Sequence, residues 1–511
     1  MTLTLAPEPS SEKLPRRALI LAGGGMRVSY QAGVLLALEQ AGLTFHHGDG
    51  TSGGTMNLAM LLSGLTPEQM CERWRTLCLS DFISFMPPGE YLKASGMQGM
   101  GDGDGILKKV FPHLGIDTAK INRAQGLQGT FNVCNVATKT NHAIEHQNIT
   151  SNLLLAGISL PIFMPPVEDN GQQYIDSVWI KDANLMEAVR RGAEEIWLVW
   201  CIGNTPVYHD GAFNQYVHMI EMSANGVLFE EFQWINEINA RIEKGESAYG
   251  QRQPIKLHVI KPEHELPLDP DLFFNRIDNA TLIDMGYADA KRYLSTQNNA
   301  GVSIKPDATT MRALDSAILL RERYHHINNA DTLKLHLALH IHDIDAFIKD
   351  PKHEARLTGH FSSTEYGENI VLENGQFYTQ VLEGDVPGKQ LHYRFQFSHN
   401  QQTFILHAQK ILKDDPGIDI FSDIATLHYE ILQQYIAEEG DGKIDKVIAT
   451  GKARIQISGI NDIFASAHPL RAKSVTDSAS TMSKLGRFFL GELYQQYFKP
   501  KQKPWWRFWE S

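Results

Sequence analysis

Gly50-Thr51-Ser52-Gly53-Gly54 is the stretch of this chain best fitted to nucleophilic chemistry. A G-x-S-x-G pentapeptide before a helix makes a tight turn that pushes the serine hydroxyl into the open, and Gly50 and Gly54 give that turn its room. A serine hydroxyl attacks poorly by itself. It needs a base for its proton and donors for the oxyanion it creates. Two other stretches offer candidates: Gly23-Gly24-Gly25 followed by Arg27, and Asp176, which closes the strand-like Gln173-Tyr174-Ile175-Asp176.

The elements that must position these residues follow from the hydrophobic pattern. Ala18 to Ala22 is a short apolar run stopped by glycine, as in a strand buried in a parallel sheet. From Val28 to Gln40 the apolar positions recur at helical spacing, and Gly42 closes the segment. Strand, glycine turn and helix in that order leave unpaired N–H groups at a helix N-terminus, where anions bind. Thr44 to Gly50 leads into Ser52, and Thr55 to Leu65 reads as the helix that follows. Gly129 to Ala137 and Trp197 to Ile202 read as further strands.

Other readings of these residues are weaker. His46 and His47 sit in the strand before Ser52, so their side chains point to opposite faces and away from the hydroxyl. Asp182 is a rival base, and Tyr174 is expected to pack. A dinucleotide site needs G-x-G-x-x-G, but Val28 stands at the third glycine, and a phosphate loop would need Gly-Lys-Ser or Gly-Lys-Thr. An α/β-hydrolase places its elbow later and needs a histidine after the acid. Gly101-Asp102-Gly103-Asp104-Gly105 lacks the ligand spacing of a calcium loop and reads as a solvated turn.

A chain of 511 residues suggests two or three domains at roughly 100 to 200 residues each. Hydrophobic residues at 42% and charged residues at 21% are those of a soluble globular protein. The formal net charge of -12 weighs against a nucleic-acid partner. Cys71, Cys78, Cys134 and Cys201 form no C-x-x-C pair and are expected as buried, reduced thiols. Residues 1–15 read as a disordered leader without the apolar core of a secretory signal. The most apolar segment, Leu153 to Val167, is broken by Pro161, Pro165 and Pro166, so no membrane span is expected, and the cytoplasm is the expected location.

In order, the chain shows Gly23-Gly24-Gly25-Met26-Arg27, then Gly50 to Gly54, then Ser159-Leu160-Pro161-Ile162-Phe163-Met164-Pro165, then Tyr174-Ile175-Asp176. Gly192-Ala193 and Gly286-Tyr287-Ala288-Asp289-Ala290 follow. Together these resemble the patatin-like phospholipases, over roughly Arg16 to Leu294. The resemblance implies a three-layer α/β/α domain with a mostly parallel sheet. It implies a serine-aspartate dyad without histidine, in which Ser52 is the nucleophile and Asp176 the base. The oxyanion hole would come from the backbone at Gly23, Gly24 and Gly25, with Arg27 lending charge or orienting a phosphate. A phospholipid or other acyl lipid would be the substrate, and the reaction would need no metal or cofactor. The chain departs from the family where Ser177 and Val178 replace glycines after the aspartate, where Val28 follows the arginine, and where His46, His47 and Asp49 make the strand before the nucleophile polar. These changes bear on efficiency and substrate choice. A lipid-binding protein that keeps the fold without turnover is the competing reading.

Residues 16–295 are thus expected to form the acyl hydrolase domain and residues 296–331 a linker with a bridging helix. From Thr332 to about residue 482, period-two stretches such as Lys334 to Ile341, Gln390 to Phe397 and Thr403 to Ile411 suggest an antiparallel sheet or open barrel of six to eight strands. This part faintly resembles a β-rich module appended to cholesterol-oxidase-like flavoproteins. Residues 483–511 read as an amphipathic helix and a tail in which Lys499, Lys501, Lys503 and Arg507 stand among Trp505, Trp506, Phe508 and Trp509. Indoles beside cations suit a bilayer surface, so peripheral membrane contact is expected there.

Overall fold

The computed structural model describes residues 15–82, 84, 99–296, 300–326, 333–382, 388–413, 425–436, 443–455, 457–472 and 474–493. The expected leader up to residue 14 and the expected Trp-rich tail lie outside the described residues. The first sheet comprises β1 (Arg17–Leu21), β2 (His47–Gly50), β3 (Gln128–Asn135), β4 (Thr140–Glu145), β5 (Val167–Asp169), β6 (Gln172–Asp176), β7 (Glu195–Val199) and β8 (Lys256–Ile260). Its order is β5-β6-β3-β2-β1-β7-β8, with β4 also on β3. The pairs from β3 to β8 run parallel, whereas β4 and β6 meet β3 antiparallel.

Alternation along β1 explains the layers. Leu19 and Leu21 enter one core with the helices Ser29–Gln40 and Gly53–Leu62, while Ala18 and Ile20 enter another with Leu185–Arg190 and Ala212–Ile242. The helix Ser29–Gln40 packs backbone to backbone on Asn279–Thr296. A Cβ at Gly33 would stand 1.9 Å from the Ile283 carbonyl oxygen, and one at Gly286 the same distance from that of Tyr30. All four cysteines are free thiols, but Cys78 is exposed, since it lies beyond the end of helix Pro67–Thr76. Among the described residues no helix is long and apolar enough to cross a membrane.

The second sheet is a closed barrel, where an antiparallel sheet or open barrel was expected. It is built from β9 (Ile318–His326), β10 (Lys334–Ile341), β11 (Ala355–Ser363), β13 (Glu373–Leu382), β14 (Gly388–His399), β15 (Gln402–Lys413), β16 (Thr426–Ile436) and β17 (Lys443–Ile455). β10 pairs with both β9 and β11 and so closes the ring, while β12 (Gly367–Val371) hangs on β11. Phe361, Phe377, Phe395, Phe397 and Phe404 fill the interior. The expected linker of residues 296–331 is corrected by β9, and among the described residues after Thr296 only the short turn Pro306–Thr309 is helical there. Ile318, Leu320 and Tyr324 face the barrel core, while Leu319 joins the core of the first unit. β9 is buried on both faces yet carries Arg321, Glu322 and Arg323, so it shows neither the alternation of a half-exposed strand nor the unbroken apolar run of a buried one. The terminal helix, Val475–Leu493, starts ahead of residue 483.

The two units are joined by buried polar contacts along Asn279–Thr296. His360 Nδ1 lies 2.7 Å from Asp284, Arg356 lies 2.9 Å from Asp289, and Tyr287 donates to Glu373 at 3.2 Å. At the head of that helix Arg321, 3% exposed, pairs with Asp278.

Candidate active site

β2 delivers the chain to Ser52 in a conformation few side chains adopt. Ser52 has φ 51° and ψ −130°, caps the helix Gly53–Leu62, and is 8% exposed. Strain of this kind is held only where the surroundings fix it. Here the fixing is steric: a Cβ at Gly54 would lie 2.1 Å from the Leu21 carbonyl oxygen, and one at Gly53 would lie 2.5 Å from that of Gly25. At Gly50 the nearest atom, the Gly54 oxygen, would be 3.1 Å away. The turn therefore passes against both β1 and the glycine loop.

Asp176 ends β6, with its Oδ2 accepting from Ser52 Oγ at 2.6 Å. Its other oxygen accepts from the Val178 N–H at 2.9 Å, and its own N–H donates to the Ser159 carbonyl at 3.0 Å. Neither Ser177 nor Val178 takes a positive φ, so the missing glycines cost the backbone nothing here. Burial pushes the Asp176 carboxyl up to about 7, against the pull of the Ser52 and Val178 hydrogen bonds. A carboxylate so raised is matched to taking a proton near neutral pH.

The glycine loop is held from below. The Gly23 N–H donates to both oxygens of Asp182, at 3.1 and 3.2 Å. This corrects the expectation for Gly23, whose donor is already taken. Arg27 is 7% exposed and its Nε donates to the Gly24 carbonyl at 2.9 Å, so its guanidinium braces the loop from inside and is not a solvated surface group. Met26 N–H donates to Asp269 at 3.1 Å. No acceptor within the described residues takes the N–H of Gly24, Gly25 or Gly53. Asp182 makes no hydrogen bond to the Ser52 hydroxyl, so of the two aspartates only Asp176 is placed to receive its proton.

The polar strand before the nucleophile proves to be a buried network. Asp49 accepts from Thr130 Oγ1 at 2.5 Å and from Asn132 Nδ2 at 2.6 Å. Asn132 also donates to Thr51 Oγ1 at 3.0 Å and accepts from Asn184 at 2.9 Å, which ties the Asp176 segment to the base of the turn. His47 bonds Thr130 at 3.0 Å, and burial holds its imidazole down at about 3, hence neutral. His46 is exposed and accepts from Arg17 N–H. Both histidines face away from Ser52. Sequence reasoning missed Thr130, Asn132, Asn184 and Asp269; polar residues inside the otherwise strand-like 129–137 were the one available signal.

Residues 19–189 match the family model described as patatin-like phospholipase. The chain carries a patatin-like phospholipase domain. That stretch contains the glycine loop, Ser52, Asp176 and Asp182, while the barrel lies beyond it. No curated relative matches the chain. Among solved structures, VipD from Legionella pneumophila is 11% identical with a TM-score of 0.30, over 55% of this chain and 67% of VipD. A complex of SpcU with ExoU from the type III secretion system of Pseudomonas aeruginosa matches at 13% identity and TM-score 0.22, over 58% of this chain and 76% of the other.

Proposed function

We propose that the patatin-like domain is a serine lipid acyl hydrolase of the phospholipase A or lysophospholipase type, working through Ser52 and Asp176. The observation that carries this reading is the 2.6 Å hydrogen bond from the Ser52 hydroxyl to a buried carboxylate that has no ion-pair partner among the described residues. Asp176 takes the proton as Ser52 Oγ bonds to the ester carbonyl carbon. The N–H groups of Gly24 and Gly25, with that of Gly53, hold the oxyanion. The carbon–oxygen bond to the alcohol then breaks, Asp176 returns its proton to the leaving oxygen, and an acyl-enzyme remains. Water, deprotonated by Asp176, then bonds to the acyl carbon, the bond to Ser52 Oγ breaks, and Asp176 returns the proton to that oxygen as the acid leaves. The Val178 N–H on Asp176 supports turnover over a silenced binding protein, because it fixes the base that the absent glycines were expected to disturb.

Fluorophosphonate labelling tests this directly. The parent should label and should hydrolyse phospholipid; Ser52→Ala should lose labelling and Asp176→Asn should lose roughly 10⁴-fold in kcat. A folded parent that neither labels nor hydrolyses defeats the proposal. Hydrolysis of a soluble ester should rise through about pH 7 as Asp176 ionises. Deleting residues 499–511 should weaken sedimentation with anionic vesicles while sparing that soluble ester.

A further inference from the structure

Asp182 is a buried carboxyl that the reaction above does not use. It is 1% exposed, and among the described residues its two oxygens share a single donor, the Gly23 N–H. Asp176, by contrast, has a donor on each oxygen, Ser52 Oγ–H on one and Val178 N–H on the other. Gly23 is wedged between the two sites: a Cβ there would lie 2.1 Å from Asp182 Oδ1 and 2.9 Å from the Ser52 Cβ. Two carboxyls buried within reach of each other's charge do not both ionise freely, and the anion settles on the one with more donors. That one is Asp176.

We infer that Asp182 is a positioning residue: as a neutral carboxylic acid it seats the glycine loop through Gly23 and leaves the pocket's single negative charge on Asp176. The inference rests on the serine hydrolase reading. Its consequence is electrostatic. An ionised Asp182 would set a second negative charge under the turn whose next two N–H groups receive the oxyanion, and attack by Ser52 would slow. The groups that face Asp182 are Asp176 from β6, Arg27 from the loop and the Cys201 thiol beyond β7. Burial first, then the Asp176 charge, push its carboxyl well above the ordinary range, with Gly23 and Arg27 opposing. Asp176 is faced in turn by the Tyr216 phenol and the Cys134 thiol.

The test is the alkaline side of the pH profile. Fluorophosphonate labelling and p-nitrophenyl butyrate hydrolysis are followed from about pH 5 to pH 10 in the parent, Asp182→Asn and Asp182→Ala. The parent should rise through the ionisation of Asp176 and then fall about tenfold per pH unit above that of Asp182. Asp182→Asn, whose amide oxygen can still accept from Gly23, should keep the acid limb and lose the alkaline one, holding its rate within about twofold there. Asp182→Ala should lose about tenfold or more in kcat at every pH, with KM within about threefold, because the buried Gly23 N–H then has no acceptor. An alkaline limb that persists in Asp182→Asn, or is missing from the parent, overturns the inference, as does full kcat in Asp182→Ala. A parent that does not label defeats the hydrolase reading instead, so the two failures are distinct.

Discussion

The surroundings of Ser52 and the interior of the barrel bury charge in opposite ways. Around Ser52, Asp49, Asp176 and Asp182 lie at 0, 1 and 1% exposure without an ion-pair partner among the described residues, and burial raises all three carboxyls. Inside the barrel, Lys410 is 3% exposed and lies 2.7 Å from Glu322, which also accepts from Tyr324 at 2.7 Å. The rings of Tyr324 and Tyr393 lie 5.3 and 5.5 Å from the same ammonium. The barrel's charge is matched where it stands; the Asp176 carboxyl beside Ser52 has hydrogen-bond donors but no ion-pair partner among the described residues. A carboxylate without a cation keeps a basicity that an ion pair would remove, so the difference separates a structural core from a reactive one.

Breaking the barrel's match should produce the largest loss of stability. Lys410→Met leaves Glu322 without its cation and should lower unfolding free energy by about 3 kcal/mol. Pairing it with Glu322→Gln should restore part of that loss, which urea unfolding of the two variants would read. An additive double variant would mean that the pair is not coupled.

A smaller loss is expected at the elbow. Gly54→Ala puts a methyl 2.1 Å from the Leu21 oxygen, where backbone must yield, and should cost about 2 kcal/mol together with most of the labelling of Ser52. Gly42→Ala, with nothing within 4 Å but a φ of 73°, is the control: it should cost about 1 kcal/mol and leave labelling intact. Equal labelling in both would remove the elbow's steric role.

The contrast also explains how much of the molecule was legible in its sequence. Ser52, Asp176 and the glycines stand in ordered local patterns, so chain order alone brought them into view. The strands β1 and β7 were legible because both faces are buried and their apolar runs are unbroken. β9 was not, since its outward residues serve another core and its polar ones, Arg321 and Glu322, find partners far along the chain. The same holds at the site. That Gly23 spends its donor on Asp182, or that Arg27 turns inward to Gly24, depends on contacts between distant segments that no local spacing encodes. The network under Ser52 was visible only as misplaced polarity, at His47 and Asp49 in β2 and at Thr130 and Asn132 in β3.

The least disruptive change sharpens the comparison most. Asp176→Asn keeps the shape of the site and removes a carboxyl that folding holds near 7, well above its unfolded value of about 3.9. For an acid raised in this way, the folded state binds the proton more tightly than the unfolded chain. Its contribution to stability is therefore complete below the unfolded value and is lost as pH climbs through the folded one. The parent should lose stability relative to Asp176→Asn between about pH 4 and pH 7, by at most about 1.4 kcal/mol per pH unit, and the gap should stay constant above that window. Near pH 8 the variant should be more stable than the parent and inactive. Thermal unfolding across that range reads both limits. A gap that does not vary with pH would mean that Asp176 is solvated or paired as the barrel's charges are, and the distinction between the two cores would fall.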